Sequence, residues 1–453
     1  MPTMFSAKWV IPISAAPIED GAVVIEGDSI IGVGTRESLA SEYPDVQATD
    51  FGEAAIIPGL INCHTHLELT VMRGFLEREE SDFFAWLKKL TIARLERMTN
   101  DDLLVSATSG AVEAVRAGIT CVADASDAAS ESMKALRAIG LRGIVYQESF
   151  GPDASMAREN FEKLTEKVNG LRDLESNRVR VGVSPHAPYT VSGPQLELIA
   201  QFAIAEDLPL MMHAAESGAE AMLMLDGSGP FAKNLSLRGI EWRAPGTSTI
   251  EYLKTRGILD ARPLLAHCIR VNDGDIETMR QSGARVAHCP KSNAKLGHGR
   301  APLAAFIKHG LTVGIGSDSV ASNNTCDMLE EARFAALVAR VSENENKDGL
   351  VSAEDVLYAA TLGGARALGM DDRIGALARG LQADIAVVAL DGAHQQPVHD
   401  AVAAIIFASS GRDVRMTMVA GEVVYEDGRV NRVEEEALHR RLNEISKKIT
   451  AGI

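Results

Sequence analysis

The middle of this 453-residue chain is built on one repeated alternation. Apolar β-type runs at 55–61, 119–124, 142–147, 179–183, 208–213, 263–267, 284–288 and 313–318 alternate with helical patterns such as DDLLVSATSGAVEAVRAG and PQLELIAQFAIAED. Strand–helix alternation requires a parallel sheet. Eight such units fit a closed (β/α)8 TIM-type barrel. The rival is an open doubly wound sheet, and the absence of an early Gly-x-Gly-x-x-Gly fingerprint after a first strand weakens it.

The two ends have a different texture. Near the start, GAVVIEGDSIIGVG alternates strand-like runs with Gly-Asp turn signals. Similar runs return late, in ADIAVVALDG (383–392), AAIIFAS (403–409) and VRMTMVAGEVVYEDGRV (414–430). Neither end holds enough strands for a sheet of its own. The expected architecture is therefore α/β: a barrel over 58–375, a small β-sandwich built from 1–57 plus 376–430, and a C-terminal helix over 431–453. That helix places Leu438, Leu442, Ile445 and Ile449 on one face.

Composition narrows the partners. The formal charge is −17 and no Lys/Arg cluster is visible, which excludes a nucleic-acid polymer. No apolar run reaches the ~18 residues of a membrane span, and the start lacks the pattern of a signal peptide. Five scattered cysteines, an odd number, read as buried thiols in a reducing compartment, so a cytoplasmic location is expected. A small-molecule substrate fits these limits, and a homo-oligomer stays open.

The stretch PGLINCHTHLELT (58–70) raises the chemical question. His64 and His66 are two residues apart, so in an extended chain both rings face one side and can converge on a metal ion. The pair alone is also compatible with ordinary polar residues at a strand end. Six histidines, however, follow apolar runs at their C-terminal ends: His64, His66, His186, His213, His267 and His288. In a barrel those ends surround a single pocket. The other five, including His298, read as surface or loop residues. Asp318 ends LTVGIGSDS and is compatible with a helix cap. Together with His64, His66 and His213 it makes a set of three nitrogens and one carboxylate. That set suits one divalent ion, Zn²⁺ first, with Fe²⁺ tolerating the same ligands. The run VRVGVSPHAPY offers no lysine to bridge a second ion, so a mononuclear site is expected. Glu216 lies three residues past His213, at the same mouth.

These motifs, with HAAES, AHCIRV, VAHCPKSNAKLGHGRAPL, GSDSVASNN and ATLGGARALGM, resemble the amidohydrolase superfamily in its mononuclear deaminase and chlorohydrolase branch. The resemblance spans nearly the whole chain. It implies that His64, His66, His213 and Asp318 hold the metal and that Glu216 shuttles protons. It implies further that His267 binds the attacking hydroxide and the developing oxyanion. His186 would face the substrate, and His288 would line or brace the pocket with Ser292 and Asn293. A bound cation can lower the pKa of water from ~15.7 to ~7, and one carboxylate, Glu216, can carry protons in both halves of a deamination while Asp318, beside the water, takes the other proton as a further catalytic residue.

The resemblance also frames the substrate, an aminated N-heterocycle that releases ammonia. The segment after the first histidines offers Glu68, Arg73 and Trp86 as contacts. Members acting on S-adenosylhomocysteine and methylthioadenosine often carry a ribose-binding glutamate before that tryptophan, where this chain has Ala85. They also carry an arginine where it has Gln147, with Arg158 standing for a second one. HTHLELT, GSGPFA and APGTSTIEYL are more similar to the subgroup that includes aminodeoxyfutalosine deaminases. An adenine-type nucleoside of that kind is the leading expectation. The alternatives are S-adenosylhomocysteine or methylthioadenosine, guanine or a triazine, a cyclic amide or amidine, and a non-catalytic barrel that binds partners through its surface.

Overall fold

The computed structural model describes residues 1–341 and 350–451. Along the chain, β1 (Thr3–Val10), β2 (Ile18–Glu26), β3 (Ser29–Thr35), β4 (Gln47–Asp50) and β5 (Ala54–Pro58) come first. Then follow β6 (Leu60–Thr65), β7 (Ile119–Ser126), β8 (Arg142–Ser149) and β9 (Val179–Pro185), all parallel neighbours in that order. A second parallel set holds β10 (Met211–Ala214), β11 (Leu264–His267), β12 (Arg285–His288) and β13 (Val313–Ile315). The last strands are β14 (Ile385–Ala389), β15 (Val414–Val419), β16 (Glu422–Glu426) and β17 (Arg429–Val430).

The two four-stranded sets make the TIM-type barrel, joined by thin seams and not by full ladders. On one side a single parallel bridge links Val183 to Leu210. On the other, the Asp318 amide donates to the His64 carbonyl at 2.8 Å. Helices cover the outside for legible reasons. Asn100–Arg116 starts at a Thr99 cap, reciprocated by Asp102, and buries Leu103, Ala107, Ala111 and Val115 at helical spacing. Gly193–Ala205 opens with Pro194 in its first turn.

Strands from both chain ends form one nine-stranded sheet, in the order β17-β16-β15-β14-β5-β1-β2-β3 with β4 on β1. The sheet folds back on itself. The Gly27–Asp28 turn between β2 and β3 meets the approach to β14, where Ala383 N–H donates to Asp28 O at 2.8 Å. Phe5, Val23, Ile56, Val387 and Met418 then share one core. The C-terminal helix Glu435–Thr450 buries Leu438, Ile445 and Ile449. The last two positions of the expected 431–453 tail lie outside the described residues. All five cysteines are buried and unbridged, and no described helix is long and apolar enough to cross a membrane.

Two local expectations are corrected. The run 55–61 is two strands: residues up to Pro58 pair with β14 in the terminal sheet, and Leu60 begins the barrel. Apolar character is continuous across the switch because both sheets bury their strands there. Gly59 makes the switch passable, since a Cβ at this position would stand 2.1 Å from the Thr120 side chain. The stretch 403–409 is helical, not a strand. Asp400 caps its start by accepting from the Ala403 amide at 2.9 Å, and a short apolar run carries no periodicity to separate the two outcomes.

A buried ion pair ties the two units together. Arg142 on β8 donates from Nε and Nη2 to Asp384 at 3.0 and 2.9 Å, with both residues almost wholly buried. The Ala420 amide donates to Asp384 as well. Removing the guanidinium strands a buried carboxylate, so Arg142→Ala is expected to cost about 3–5 kcal/mol. A lowered thermal midpoint and an earlier denaturant transition would show it, and an unchanged transition would contradict the role.

Candidate metal centre and active site

The C-terminal ends of the barrel strands converge as the histidine pattern requires. His64 lies on β6 and His66 directly follows it, His213 is on β10, and Asp318 follows β13. The His66 and His213 Nε2 atoms are 3.3 Å apart. Asp318 Oδ1 lies 3.5 Å from His64 Nε2 and 3.6 Å from His66 Nε2. Ligands around a tetrahedral ion with bonds of ~2.0–2.1 Å stand about 3.3 Å apart, so these spacings match a shared centre.

The surrounding contacts aim the ligands. His213 Nδ1 donates to the His186 carbonyl at 2.8 Å, which turns its other nitrogen inward. His64 Nδ1 lies against Met211 Sδ at 3.2 Å, and its Nε2 is buried with no hydrogen-bond partner. An orphaned imidazole nitrogen at this depth fits a metal ligand. Burial lowers the His64 pKa to about 4 and holds His213 well below the usual range, so both rings are neutral, the ligating form. Burial alone would raise Asp318, but the neighbouring imidazoles outweigh it and hold the carboxyl well below its ordinary value. Ser292 and Ser322 both donate to Asp318 Oδ2, at 2.5 and 3.0 Å. Asp318 and His267 both have left-handed backbones, with φ of 59° and 72°, and held strain of this kind is common at reactive centres.

Beside the ligands, Glu216 Oε1 lies 3.8 Å from His267 Nε2 and 3.6 Å from His298 Nε2. Glu220 clamps the turn that carries Glu216, accepting from the Ala215 and Glu216 amides at 2.7 and 3.0 Å. His267 Nδ1 is paired with Asn293 Oδ1 at 2.8 Å. Burial would lower the His267 pKa, but Glu216 and Asp318 prevail and raise it.

A cavity of about 480 Å³ opens over this centre. Glu68, Trp86 and His186 line it, under the helix Phe83–Arg97. The other expected contacts lie elsewhere. Arg73 pairs with Glu113 and the Asn324 carbonyl. Gln147 donates to the Asp127 and Glu148 carbonyls and faces away from the cavity. His288 is buried behind the site, as is Asn293, which reaches the site only through His267. Arg158 is exposed on the outer helix.

The sequence reading missed two residues. His298 was expected at the surface, yet it is 7% exposed and sits against Glu216 and the Phe83 ring. It lies on a loop past the helix Pro290–Lys295, where no periodicity gives direction. The other is Glu148, one residue beyond Gln147, which lines the cavity with Oε1 unpartnered. Burial, then the charges of Glu68 and Asp127, push its carboxyl well above the usual range.

Residues 55–424 match the Amidohydrolase family. The chain belongs to the amidohydrolase family. Among its relatives, a 5-methylthioadenosine/S-adenosylhomocysteine deaminase of Haloarcula marismortui is 33% identical over 431 residues, 94% of each chain. One of the same name from Nitratidesulfovibrio vulgaris is 31% identical over 436 residues, covering 95% of this chain and 93% of its own. An adenosine deaminase from Xanthomonas campestris, solved with bound zinc, shares the fold with a TM-score of 0.85 at 28% identity, covering 99% of this chain and 98% of its own. A guanine deaminase from C. acetobutylicum has a TM-score of 0.80 at 20% identity over 94% of this chain and all of its own, a likeness of fold alone. This amidohydrolase is a hydrolytic deaminase acting on a carbon–nitrogen bond.

The geometry makes the ligands testable apart from turnover. Purified protein is expected to hold one equivalent of divalent metal by elemental analysis, and His66→Ala or Asp318→Ala to hold little. Ser292→Ala should retain the ion with an affinity about 10- to 100-fold weaker. Full occupancy in His66→Ala would refute the assignment.

Proposed function

We propose that this enzyme deaminates the adenine ring of a nucleoside, with the 5-methylthioadenosine and S-adenosylhomocysteine class as its substrates. The observation that carries the reading is the match, over more than nine-tenths of the chain, to deaminases named for those two compounds. The site supports it with a full ligand set, a buried carboxylate beside that set, and a cavity wide enough for a base and its sugar.

His64, His66, His213 and Asp318 would hold one divalent ion, Zn²⁺ by their donor chemistry. Such an ion supplies a water of lowered pKa and polarises the carbon under attack. The chain's own groups do the rest. Glu216 accepts a proton from the attacking water and delivers it to the ring nitrogen beside the amino-bearing carbon. That carbon becomes tetrahedral; the proton of its new hydroxyl then passes through the same carboxylate to the amino group, which leaves as ammonia as the C–N bond breaks and the carbonyl forms. His267, held by Asn293, hydrogen-bonds the oxygen as negative charge develops on it. His298 limits where the Glu216 carboxyl can swing. Trp86 and Phe83 cover the cavity and exclude water.

Within the class, the cavity suits an uncharged 5′ substituent better than an amino-acid tail. Arg94 is taken up by Glu68 at 2.6 Å and Asp127 at 3.1 Å. The other arginine on the wall, Arg238, stands at the exposed rim. Leu87, Leu90, Leu95 and Phe150 supply apolar surface. An aminodeoxyfutalosine-type nucleoside is a second reading with the same base chemistry. It is favoured by the placement of Gln147 outside the cavity and by Ala85 on the covering helix. With five buried, unbridged thiols, we place the enzyme in the reducing cytoplasm.

Ammonia release across methylthioadenosine, S-adenosylhomocysteine, adenosine, aminodeoxyfutalosine, guanine and triazines tests the reading. Methylthioadenosine is expected to give the highest kcat/KM, and activity confined to guanine or triazines would overturn it. Glu216→Gln should keep its metal and lose at least about 100-fold in kcat. Loss of metal in that variant would mean that Glu216 is a ligand.

A further inference from the structure

We propose that Glu148 is the residue that recognises the sugar of the substrate, accepting hydrogen bonds from its vicinal hydroxyls. The inference rests on the nucleoside reading above and adds the residue that selects a ribose. Glu148 lies near the end of β8 and lines the cavity, is 7% exposed, and has an Oε1 atom with no hydrogen-bond partner among the described residues. Leaving a buried carboxyl oxygen unsatisfied is costly, and a bound ligand relieves that cost.

The arrangement of the mouth selects the kind of ligand. Glu216, His267 and Asp318 come from the side formed by β10, β11 and β13. A purine whose amino-bearing carbon sits there points its glycosidic nitrogen the other way, because the two positions lie at opposite ends of the bicycle. The sugar is then directed toward the β6–β9 side. That side is acidic, with Glu68, Asp127 and Glu148 all on the cavity wall. Hydroxyls are donors and carboxyl oxygens are acceptors, so the polarity matches. Two of the three acids are already engaged. Glu68 receives Arg94, Ser126 and the Ala128 amide, and Asp127 receives Arg94 and Lys167. Glu148 is left facing the cavity.

A second metal is the rival use of this carboxyl. Glu148, His186 and His213 each bring one ligand atom within 4.8 Å of the others. The tautomers disfavour it. His213 spends Nδ1 on the His186 carbonyl and turns Nε2 toward His66, while His186 Nδ1 is paired with Thr190 Oγ1 at 2.8 Å. His213 has no lone pair left for another ion.

The test is a cycle between residue and substrate group in the metal-loaded enzyme. Kinetics of ammonia release are compared for adenosine and 2′,3′-dideoxyadenosine in wild type, Glu148→Gln and Glu148→Ala. In the wild type the dideoxy compound should lose about 10- to 100-fold in kcat/KM. The Ala variant should show a similar loss on adenosine, mostly in KM, and less than about 3-fold change on the dideoxy compound. Glu148→Gln keeps the shape and should fall between. Equal losses on both nucleosides, or an unaffected adenosine reaction, would overturn the proposal. Two equivalents of metal in the wild type, falling to one in Glu148→Ala, would overturn it in favour of the second ion. A wild type that deaminates free adenine but neither nucleoside would instead bring down the nucleoside reading, and the sugar contact with it.

Discussion

One backbone hydrogen bond closes the barrel directly beside the candidate metal centre. The Asp318 amide donates to the His64 carbonyl and so joins the first barrel strand to the segment after the last. The same contact sets one carboxylate oxygen 3.5 Å from an imidazole that departs from the other strand. The approach needs glycine on β13 and just beyond it. A Cβ at Gly314 would stand 2.2 Å from Cys63 Sγ, and one at Gly316 would meet the His64 backbone at 2.9 Å. Closure of the barrel and assembly of the ligand set are thus a single event, enforced by the absence of two methyl groups.

The chemistry is divided across the mouth in a way that follows from this closure. One side carries Asp318, Glu216 and His267. The other carries Glu68 and Asp127, both paired with Arg94, with Lys167 also on Asp127, and Glu148 facing the cavity. The helix Phe83–Arg97 lies over both and supplies apolar cover as well as that arginine. Apolar cover and part of the charge balance are therefore supplied by one element that has no part in the barrel ladder.

Much of this was legible in the sequence because strand ends are marked twice, by an apolar run and by the polar residue that follows it. His64, His66, His213 and Asp318 each end such a run, so their convergence at one end of the barrel could be read without coordinates. The failures have physical causes as well. Gln147 and Glu148 are neighbours on one strand and project to opposite sides, so a one-residue choice decides which reaches the cavity. His298 sits on a loop, where sequence carries no directional signal. The break between Pro58 and Gly59 is hidden because both sheets bury their strands. The run 403–409 is too short and too uniformly apolar to show a period.

The terminal sheet has a further consequence, for how the chain is made. β5 pairs with β1 through residues near position 56 and with β14 through residues near 386. More than three hundred residues separate those partners. During synthesis the early strands emerge long before β14 exists, and an apolar β5 then presents an open edge of backbone donors and acceptors. Such long-range pairing is slow to find. The molecule must shelter that edge, or delay its ordering, until the ribosome has nearly finished. Its vulnerability to wrong association is therefore concentrated at birth, far in space and in time from the reaction it later performs.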